Sequence, residues 1–133
     1  VHPTRVPSAV LIPIYDKQGQ YYILFIQRTE KVKDHKGQIS FPGGAYEEPD
    51  RTLLNTALRE TAEEIGLQQR DVEILGELDD IMIKDCVRQG TDILEGRIVK
   101  TYFYHYQGRV IWGATARILK QFLDIIGCIL EDK

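Results

Sequence analysis

The sequence predicts an α+β fold, and three patterns in it support that prediction. Apolar, β-branched segments near the start are typical of strands, a central segment is amphipathic at helical spacing, and the tail repeats apolar residues at helical spacing. The chain has 133 residues, of which 43% are hydrophobic, and this suits a single core. We therefore expect one domain over residues 1–133.

The first strands are expected to form a hairpin. Residues 8–15 and 21–27 are both apolar and β-branched, and the turn residues 16–20 separate them. Pro13 favours an edge position or a bulge, because proline has no N–H to donate to a strand partner. Residues 28–38 are charged and aperiodic, which indicates a loop.

A helix is predicted from about Arg51 to Ile65, ending at Gly66, where glycine adopts a left-handed backbone at least cost. Successive residues turn by about 100° around a helix, so its apolar and acidic residues separate into two faces. The apolar side comprises Leu54, Leu58, Thr61 and Ile65, and the acidic side comprises Glu60, Glu63 and Glu64.

The second half of the chain should add two strands and a helix. Residues 72–78 and 99–106 alternate like half-buried strands, and Gly108 begins a turn. The segment from Ala114 to Leu130 has the spacing of a core-facing helix, with apolar residues at Ile118, Leu119, Phe122, Ile126 and Ile129.

The overall charge excludes some partners. A formal net charge of -3 gives no general attraction to nucleic acid or to an anionic membrane. No stretch reaches the roughly 18 apolar residues that would cross a bilayer. We expect a cytoplasmic protein. Because residue 1 is Val and the only methionine is Met82, we also expect the N-terminus to be incomplete, which leaves an organelle matrix open.

Three glutamates on one helix face need an explanation, since like charges one turn apart cost a few tenths of a kcal/mol per exposed pair. Arg59 cannot neutralise three carboxylates. A divalent cation could, because Mg²⁺ prefers hard oxygen ligands. The alternative is a solvated acidic face. The adjacent Gly43 and Gly44 make a ligand site more specific, because glycines let the backbone approach a ligand closely.

Residues 59–67, Arg-Glu-Thr-Ala-Glu-Glu-Ile-Gly-Leu, resemble the end of the Nudix box, in which Arg-Glu-apolar-x-Glu-Glu-x-Gly-apolar is the pattern. Thr61 occupies the apolar position. The first half departs from the general pattern, because the interval from Gly44 to Arg59 is one residue longer. Three acidic residues lie near the place of the expected midway glutamate: Glu47, Glu48 and Asp50.

Within the Nudix family, the chain resembles the coenzyme A (CoA) pyrophosphatase branch. The similar segments are LFIQR at 24–28, HKGQISFPGG at 35–44, NTALRE at 55–60 and IWGATAR at 111–117. The resemblance implies a Nudix-type α/β/α sandwich with a mixed central sheet, a Nudix helix and a C-terminal helix. It also implies a pyrophosphohydrolase that splits CoA or acyl-CoA, a small-molecule nucleotide substrate, into 3',5'-ADP and 4'-phosphopantetheine.

The same resemblance implies roles for individual residues. Glu60 and Glu64 would bind Mg²⁺ or Mn²⁺, Glu63 would be a further ligand or the base that positions water, and the Gly44 carbonyl would contribute. Arg59 would orient a glutamate. The predicted catalytic set is therefore Glu63, Glu64 and Arg59.

The substrate's 3'-phosphate would need cations, and five cluster before the glycines: Arg28, Lys31, Lys33, His35 and Lys36. We expect Arg28, His35, Lys36 and Gly43 to contact the substrate. The alternative for the charged loop is simple solvation.

Two other functions stay open from the sequence. One is a Nudix enzyme for ADP-ribose or another nucleoside diphosphate derivative, and the other is a catalytically silent nucleotide-binding module. The oligomeric state is open, a homodimer included. Residues 81–98 are short for this part of a Nudix domain, so we expect that a segment is omitted near Ile83 or Lys84. The omitted segment would include a loop that carries a catalytic base.

Overall fold

The computed structural model describes residues 6–27, 37–80, 91–94, 97–100 and 104–131. The chain divides into two compact units, residues 1–27 with 40–75 and residues 28–39 with 76–133. The strands are β1 (Ser8–Val10), β2 (Ile14–Lys17), β3 (Gln20–Ile23), β4 (Ile26–Gln27), β5 (Ile39–Ser40), β6 (Gly43–Ala45), β7 (Thr91–Leu94), β8 (Arg97–Lys100), β9 (Tyr104–Tyr106) and β10 (Arg109–Ile111).

Two α-helices complete the described structure, α1 (Leu53–Ile65) and α2 (Gly113–Glu131), with short 3₁₀ helices at Glu48–Asp50 and Gln69–Asp71. The predicted α+β class is confirmed. Among the described residues, no helix combines the length and the apolar character that crossing a membrane requires.

In the first unit, the N-terminal strand β1 pairs antiparallel with the glycine strand β6, so that Ala9 lies opposite Gly44. Two further backbone hydrogen bonds extend the pair: the Leu11 N–H donates to the Pro42 carbonyl at 2.9 Å, and the Tyr46 N–H donates to the Pro7 carbonyl at 2.8 Å. Helix α1 packs against both strands. This pair therefore fixes the glycines beside the helix.

The predicted hairpin is confirmed as β2 and β3, with Tyr15 opposite Tyr22 and their rings stacked at 5.4 Å. Gln18 and Gly19 both have positive φ, which suits the tight turn between right-twisted strands. The first predicted strand is not continuous, however. Its start, β1, pairs with β6 instead, and Pro13 lies in the break between β1 and β2.

Helix α1 begins and ends where local signals place it. The Thr52 hydroxyl accepts a hydrogen bond from the Asn55 N–H at 3.1 Å, and Gly66 ends the helix with φ 74°. The prediction of this helix and of its end is confirmed. Its apolar side is wrong at Leu54, which is exposed. The buried residues are Thr56, Ala57, Leu58 and Thr61, and the small ones among them suit close packing on the mostly small residues of β1 and β6.

The strand predicted over residues 72–78 is wrong. A 3₁₀ helix ends at Asp71, and the described chain from residue 72 to residue 80 has no strand. Ile74 and Leu75 are exposed. Val72, Ile74 and Leu78 would share one face of a strand there, so the alternation is present, and what this segment lacks in the described chain is a strand to pair with.

In the second unit, β7 pairs antiparallel with β8, and β9 pairs antiparallel with β10. Gln107 and Gly108 have φ values of 48° and 74°, so the predicted turn at Gly108 is confirmed. The strand predicted over 99–106 is present as the end of β8 and as β9, and residues 101–103 lie outside the described residues. So does the omission predicted near Ile83 or Lys84.

Helix α2 confirms the predicted C-terminal helix. Ala116 and Leu119 are buried, while Ile118, Phe122 and Ile126 are half-buried. The side chain of Ile129 lies outside the described residues. The helical spacing of apolar residues thus produced the expected partly buried face.

Candidate active site on helix α1

Arg59 is the centre of a hydrogen-bond network on helix α1. Its Nε donates to Asp50 Oδ1 at 2.7 Å, and its Nη2 donates to Asp50 Oδ2 at 3.0 Å. Its Nη1 donates to Glu60 Oε1 at 2.9 Å, and its Nη2 also donates to the Ala45 carbonyl at 3.1 Å. A planar guanidinium bound at both edges has one orientation, and Arg59 is held in it.

Asp50 is buried, with 7% of its surface exposed, and both of its carboxylate oxygens accept hydrogen bonds. Besides Arg59, the Thr56 hydroxyl donates to Oδ2 at 2.9 Å and the Glu47 N–H donates to Oδ2 at 3.0 Å. The Asn55 side-chain amide donates to the Asp50 carbonyl at 2.8 Å. A buried carboxylate without partners would be costly, and these donors compensate that cost.

The network also determines the charge states of Asp50 and Arg59. The hydrogen bond from Arg59 holds the pKa of Asp50 well below its ordinary value, against burial, which acts in the opposite direction. The hydrogen bond to Asp50 likewise raises the pKa of Arg59 above its ordinary value. Both groups are therefore charged throughout the physiological pH range.

The structure places the predicted ligands Glu60 and Gly44 in contact. A side chain at residue 44 would put its Cβ 2.6 Å from Glu60 Cδ and 2.8 and 2.9 Å from the two carboxylate oxygens. Glu60 thus occupies the space that a Cβ would take, and a larger residue at 44 would displace its carboxylate. The Glu60 side chain is 20% exposed and lies between this glycine and Arg59, so its carboxylate has a defined position.

The other two glutamates are more open to solvent. Glu63 Oε2 is 3.5 Å from Arg59 Nη1 with 60% of its side chain exposed, and Glu64 is exposed one turn after Glu60. Among the described residues, no three His, Cys, Asp or Glu side chains are grouped so that they could hold a metal ion. Glu60, Glu63 and Glu64 thus share one helix, but their carboxylates are not grouped closely enough to form a metal site by themselves.

The donor set nevertheless fits a hard divalent cation. All of its donors are oxygens, and the Gly44 backbone lies against the carboxylate of Glu60. Mg²⁺ commonly keeps waters and substrate oxygens in its coordination sphere, so a few protein carboxylates suffice.

Gly43 has a structural explanation. A Cβ at this residue would lie 2.2 Å from the Ala9 carbonyl oxygen and 2.6 Å from Val10 Cα, so the pairing of β6 with β1 requires glycine. Its predicted contact with substrate stays a prediction. The other predicted substrate contacts, Arg28, His35 and Lys36, lie outside the described residues.

Sequence reasoning missed the importance of Asp50 and Thr56. Asp50 appeared only as one of three acids near the expected glutamate, and Thr56 was not considered. A signal was present. Pro49 favours the first turn of a short helix, and an aspartate directly after it can accept a hydrogen bond from the chain that enters the turn. In the structure the Glu47 N–H donates to Asp50 Oδ2 at 3.0 Å.

A glycine strand packed against a helix with three glutamates is the arrangement that the Nudix resemblance implies. The model of the NUDIX domain family matches residues 5–112. The chain therefore belongs to the Nudix family of hydrolases, and its fold is of the Nudix α+β type. The family resemblance of its sequence is confirmed.

Three relatives illustrate the match. The Nudix hydrolase NudL of Photorhabdus laumondii is 28% identical over 153 residues, which cover 86% of this chain and 81% of that protein. NudL of Klebsiella aerogenes is 42% identical over 71 residues, 53% of this chain and 58% of that protein. The mouse peroxisomal coenzyme A diphosphatase NUDT7 is 39% identical over 77 residues, 58% of this chain and 33% of that protein. The chain thus spans less than two thirds of the length of the latter two relatives.

Proposed function

We propose that this protein hydrolyses the diphosphate bond of a nucleoside diphosphate-linked substrate, and that CoA or acyl-CoA is that substrate. The products would be 3',5'-ADP and 4'-phosphopantetheine. The observation that supports hydrolysis best is the Glu60 carboxylate, held between Gly44 and an Arg59 that Asp50 fixes. The choice of CoA rests on the segments that resemble the CoA pyrophosphatases and on the name of the mouse relative.

The proposed metal is Mg²⁺ or Mn²⁺, since Nudix hydrolases generally use such divalent ions. Glu60 and Glu64 would hold it, with Glu63 and the Gly44 carbonyl as further donors. When bound, the ion would lower the pKa of its water and offset charge on the phosphates.

The side chains of this protein would do the remaining work. Arg59 keeps the carboxylate of Glu60 in place, so that the ligand does not have to be ordered during the reaction. Glu63 is exposed and would take a proton from the attacking water, or would serve as a ligand. Arg28, His35 and Lys36 would bind the 3'-phosphate, with the Gly43 backbone beside the substrate.

The compartment is also part of the proposal. We propose the cytoplasm, with an organelle matrix as the alternative. The peroxisome in the name of the mouse relative describes that protein.

A substrate panel tests the proposal. Hydrolysis of the diphosphate bond is measured in the presence of Mg²⁺ for the wild type and for Glu64→Gln. The substrates are CoA, acyl-CoA, ADP-ribose, NADH and dinucleoside polyphosphates. We expect CoA or acyl-CoA to give the highest kcat/KM and Glu64→Gln to lower it by about 100-fold or more, because a metal ligand should cost at least as much as the groups that orient one. Preference for ADP-ribose would favour the other enzymatic function. Binding without hydrolysis would favour a silent module.

The 3'-phosphate contacts have a separate test. Arg28→Ala and Lys36→Ala should raise KM for CoA more than for dephospho-CoA, which lacks that phosphate. Equal losses on the two substrates would remove these residues from the 3'-phosphate site.

A further inference from the structure

Residues 72–78, the open segment, have the apolar pattern of a strand but no strand partner in the described chain. We propose that the open segment is a docking edge for a β-strand that this chain does not supply. Its occupant would be a strand from an internal segment of about 39 residues, which the Photorhabdus NudL has and this chain lacks. The inference goes beyond the proposed function and does not depend on it.

The length of one match shows that residues are missing inside this chain. The match to the Photorhabdus NudL runs over 153 residues, more than the 133 of the whole chain, yet it covers only 86% of this chain, about 114 residues. About 39 of the matched NudL positions therefore have no counterpart here. Because these positions lie within the match, the difference is internal and does not concern the ends of the chain.

The structure favours a gap after the first unit. The mouse match covers 77 residues and 58% of this chain, which is the same length, so that stretch needs no net gap. In the first unit, β1 pairs with β6, β2 pairs with β3, and α1 has a cap at each end. The omission predicted near Ile83 or Lys84 would instead place the missing residues directly after the open segment.

A segment in that place is suited to pair with the open segment. Strands that follow one another along a chain are usually neighbours in a sheet, and a short turn between them makes the pair antiparallel. A strand needs about five or six residues, so about 39 residues suffice for a partner strand and its turns. Without that strand, the backbone N–H and C=O groups of the open segment have no ladder to join.

The exposed side chains of the open segment agree with a missing neighbour. Ile74 is 44% exposed and Leu75 is 78% exposed. Adjacent side chains of an extended chain lie on opposite faces, so apolar surface is open on both faces. Covering such surface is favourable, and a strand paired beside it would shield part of each face.

A second copy of this chain is a poorer occupant. If two open segments paired antiparallel over their full length, Glu73 of each would lie opposite Glu77 of the other, and Ile74 would lie opposite Gly76. Like charges directly opposite destabilise a strand pair, and glycine offers no side chain to pack. The missing segment is therefore the occupant that the sequence of the open segment favours.

Hydrogen exchange at the backbone amides of the open segment tests the proposal. Three proteins are compared: the chain as it stands, the chain with the missing NudL residues inserted after Ile83, and a control with the same residues inserted in shuffled order. We expect the NudL insert to slow exchange by about 100-fold or more, because paired amides exchange only when the pairing opens. The shuffled insert, of equal length and composition, should change it by less than about twofold.

A second measurement covers an inserted chain that fails to fold, which loss of protection in α1 would reveal. The NudL residues are then added to the unmodified chain as a separate peptide, and protection of the open segment should rise with peptide concentration. A shuffled peptide should have no effect.

One substitution links the protection to the apolar face. In the chain with the NudL insert, Ile74→Asp should speed exchange of the open segment by about tenfold or more, because it puts a charge where the strand pair is covered. Gln69→Asp adds the same charge at an exposed residue outside the segment and should change exchange by less than about twofold.

Equal exchange with the NudL and shuffled inserts, or with the two peptides, would overturn the proposal. Protection of the open segment in the unmodified chain would overturn it as well. Protection that is lost on dilution would identify a second copy as the occupant, and protection at every concentration would mean that this chain covers the segment itself. The measurements use no substrate and no metal ion, so a failure of the proposed hydrolysis would leave their result unchanged.

Discussion

Two ion pairs of this protein differ in burial and in geometry, one joining helix α1 to the 3₁₀ helix before it and the other lying within α2. Arg59 of α1 binds Asp50 through two hydrogen bonds of 2.7 and 3.0 Å, and Asp50 has further donors of its own. Lys120 of α2 donates to Asp124 one turn later, with 36% and 60% of the two side chains exposed. The first pair is part of a largely buried network, and the second lies at the surface.

The comparison shows that the presence of two opposite charges near each other does not tell how much the ion pair contributes to stability or activity. A pair like Lys120 and Asp124 stabilises a helix by about 0.3–0.5 kcal/mol, since water screens it and ordering two flexible side chains opposes it. Asp50 is buried and Arg59 is only 25% exposed, and the two are bound in a fixed geometry, so replacing either one leaves a partner unsatisfied. We therefore expect one pair to matter for activity and the other not.

The largest expected effect comes from exchanging arginine and lysine in both pairs. Arg59→Lys keeps the positive charge but cannot make the paired contact with Asp50 and also reach Glu60. We expect kcat/KM with Mg²⁺ to fall by about 10- to 100-fold, as for other groups that orient metal ligands. Steady-state kinetics on the preferred substrate measures this.

Lys120→Arg is the matched control, because it makes the reverse exchange in a surface pair. Its kcat/KM should stay within about twofold of the wild type. Similar losses in both variants would mean that the two pairs are equivalent, and the contrast between them would be lost.

The next effect concerns acid stability. The pKa of Asp50 is lowered in the folded protein from its ordinary value of 3.8, so the unfolded chain binds a proton there before the folded chain does. The stabilisation from Asp50 is therefore present in full well above pH 3.8 and is lost as the pH falls through and below that value. Asp50→Asn should be less stable than wild type at pH 7, and the difference should shrink at low pH.

Urea denaturation at several pH values between 7 and 3 measures this difference. Thr56→Val serves as the control, because it retains the carboxylate and Arg59 and removes only the hydroxyl that donates to Asp50. Its stability should fall with acid almost as steeply as that of the wild type. A constant difference between wild type and Asp50→Asn at every pH would contradict a lowered pKa.

The sequence allowed the local features of this fold to be predicted well. The boundaries of α1 follow from Thr52 and Gly66, which act within one turn of the helix. The turn at Gly108 and the helix α2 likewise depend on neighbouring residues. The acidic face of α1 follows from helical geometry alone, and so does the closeness of Glu60 and Glu64.

The features that were mispredicted depend on contacts between distant residues. The division of the first strand at Pro13 depends on β6, about thirty residues later, offering β1 a partner. The choice of Asp50 over Glu47 depends on which side chain the packing buries. The exposure of Leu54 and the absence of a strand over residues 72–78 have the same kind of cause, because burial and pairing are decided by the partner and not by the segment itself.

Thr61 shows the limit of a motif. It occupies a position where the Nudix pattern has an apolar residue, and it is buried as that pattern implies, with 1% exposed. In the part of the chain that the structure describes, its hydroxyl has no hydrogen-bond partner. The sequence predicted the burial of this residue, but only the structure shows the unsatisfied hydroxyl that results.

The smallest expected effect concerns the surface pair itself. Asp124→Asn should lower the free energy of unfolding by only about 0.3–0.5 kcal/mol at low salt, and this difference should vanish at about 1 M NaCl, where screening acts over about 3 Å. Paired urea titrations at low and high salt measure it. The loss caused by Asp50→Asn should largely persist at high salt, because salt does not screen a buried pair to the same degree. If both losses vanish with salt, then the Arg59–Asp50 pair is also governed by solvent, and burial is not what distinguishes it.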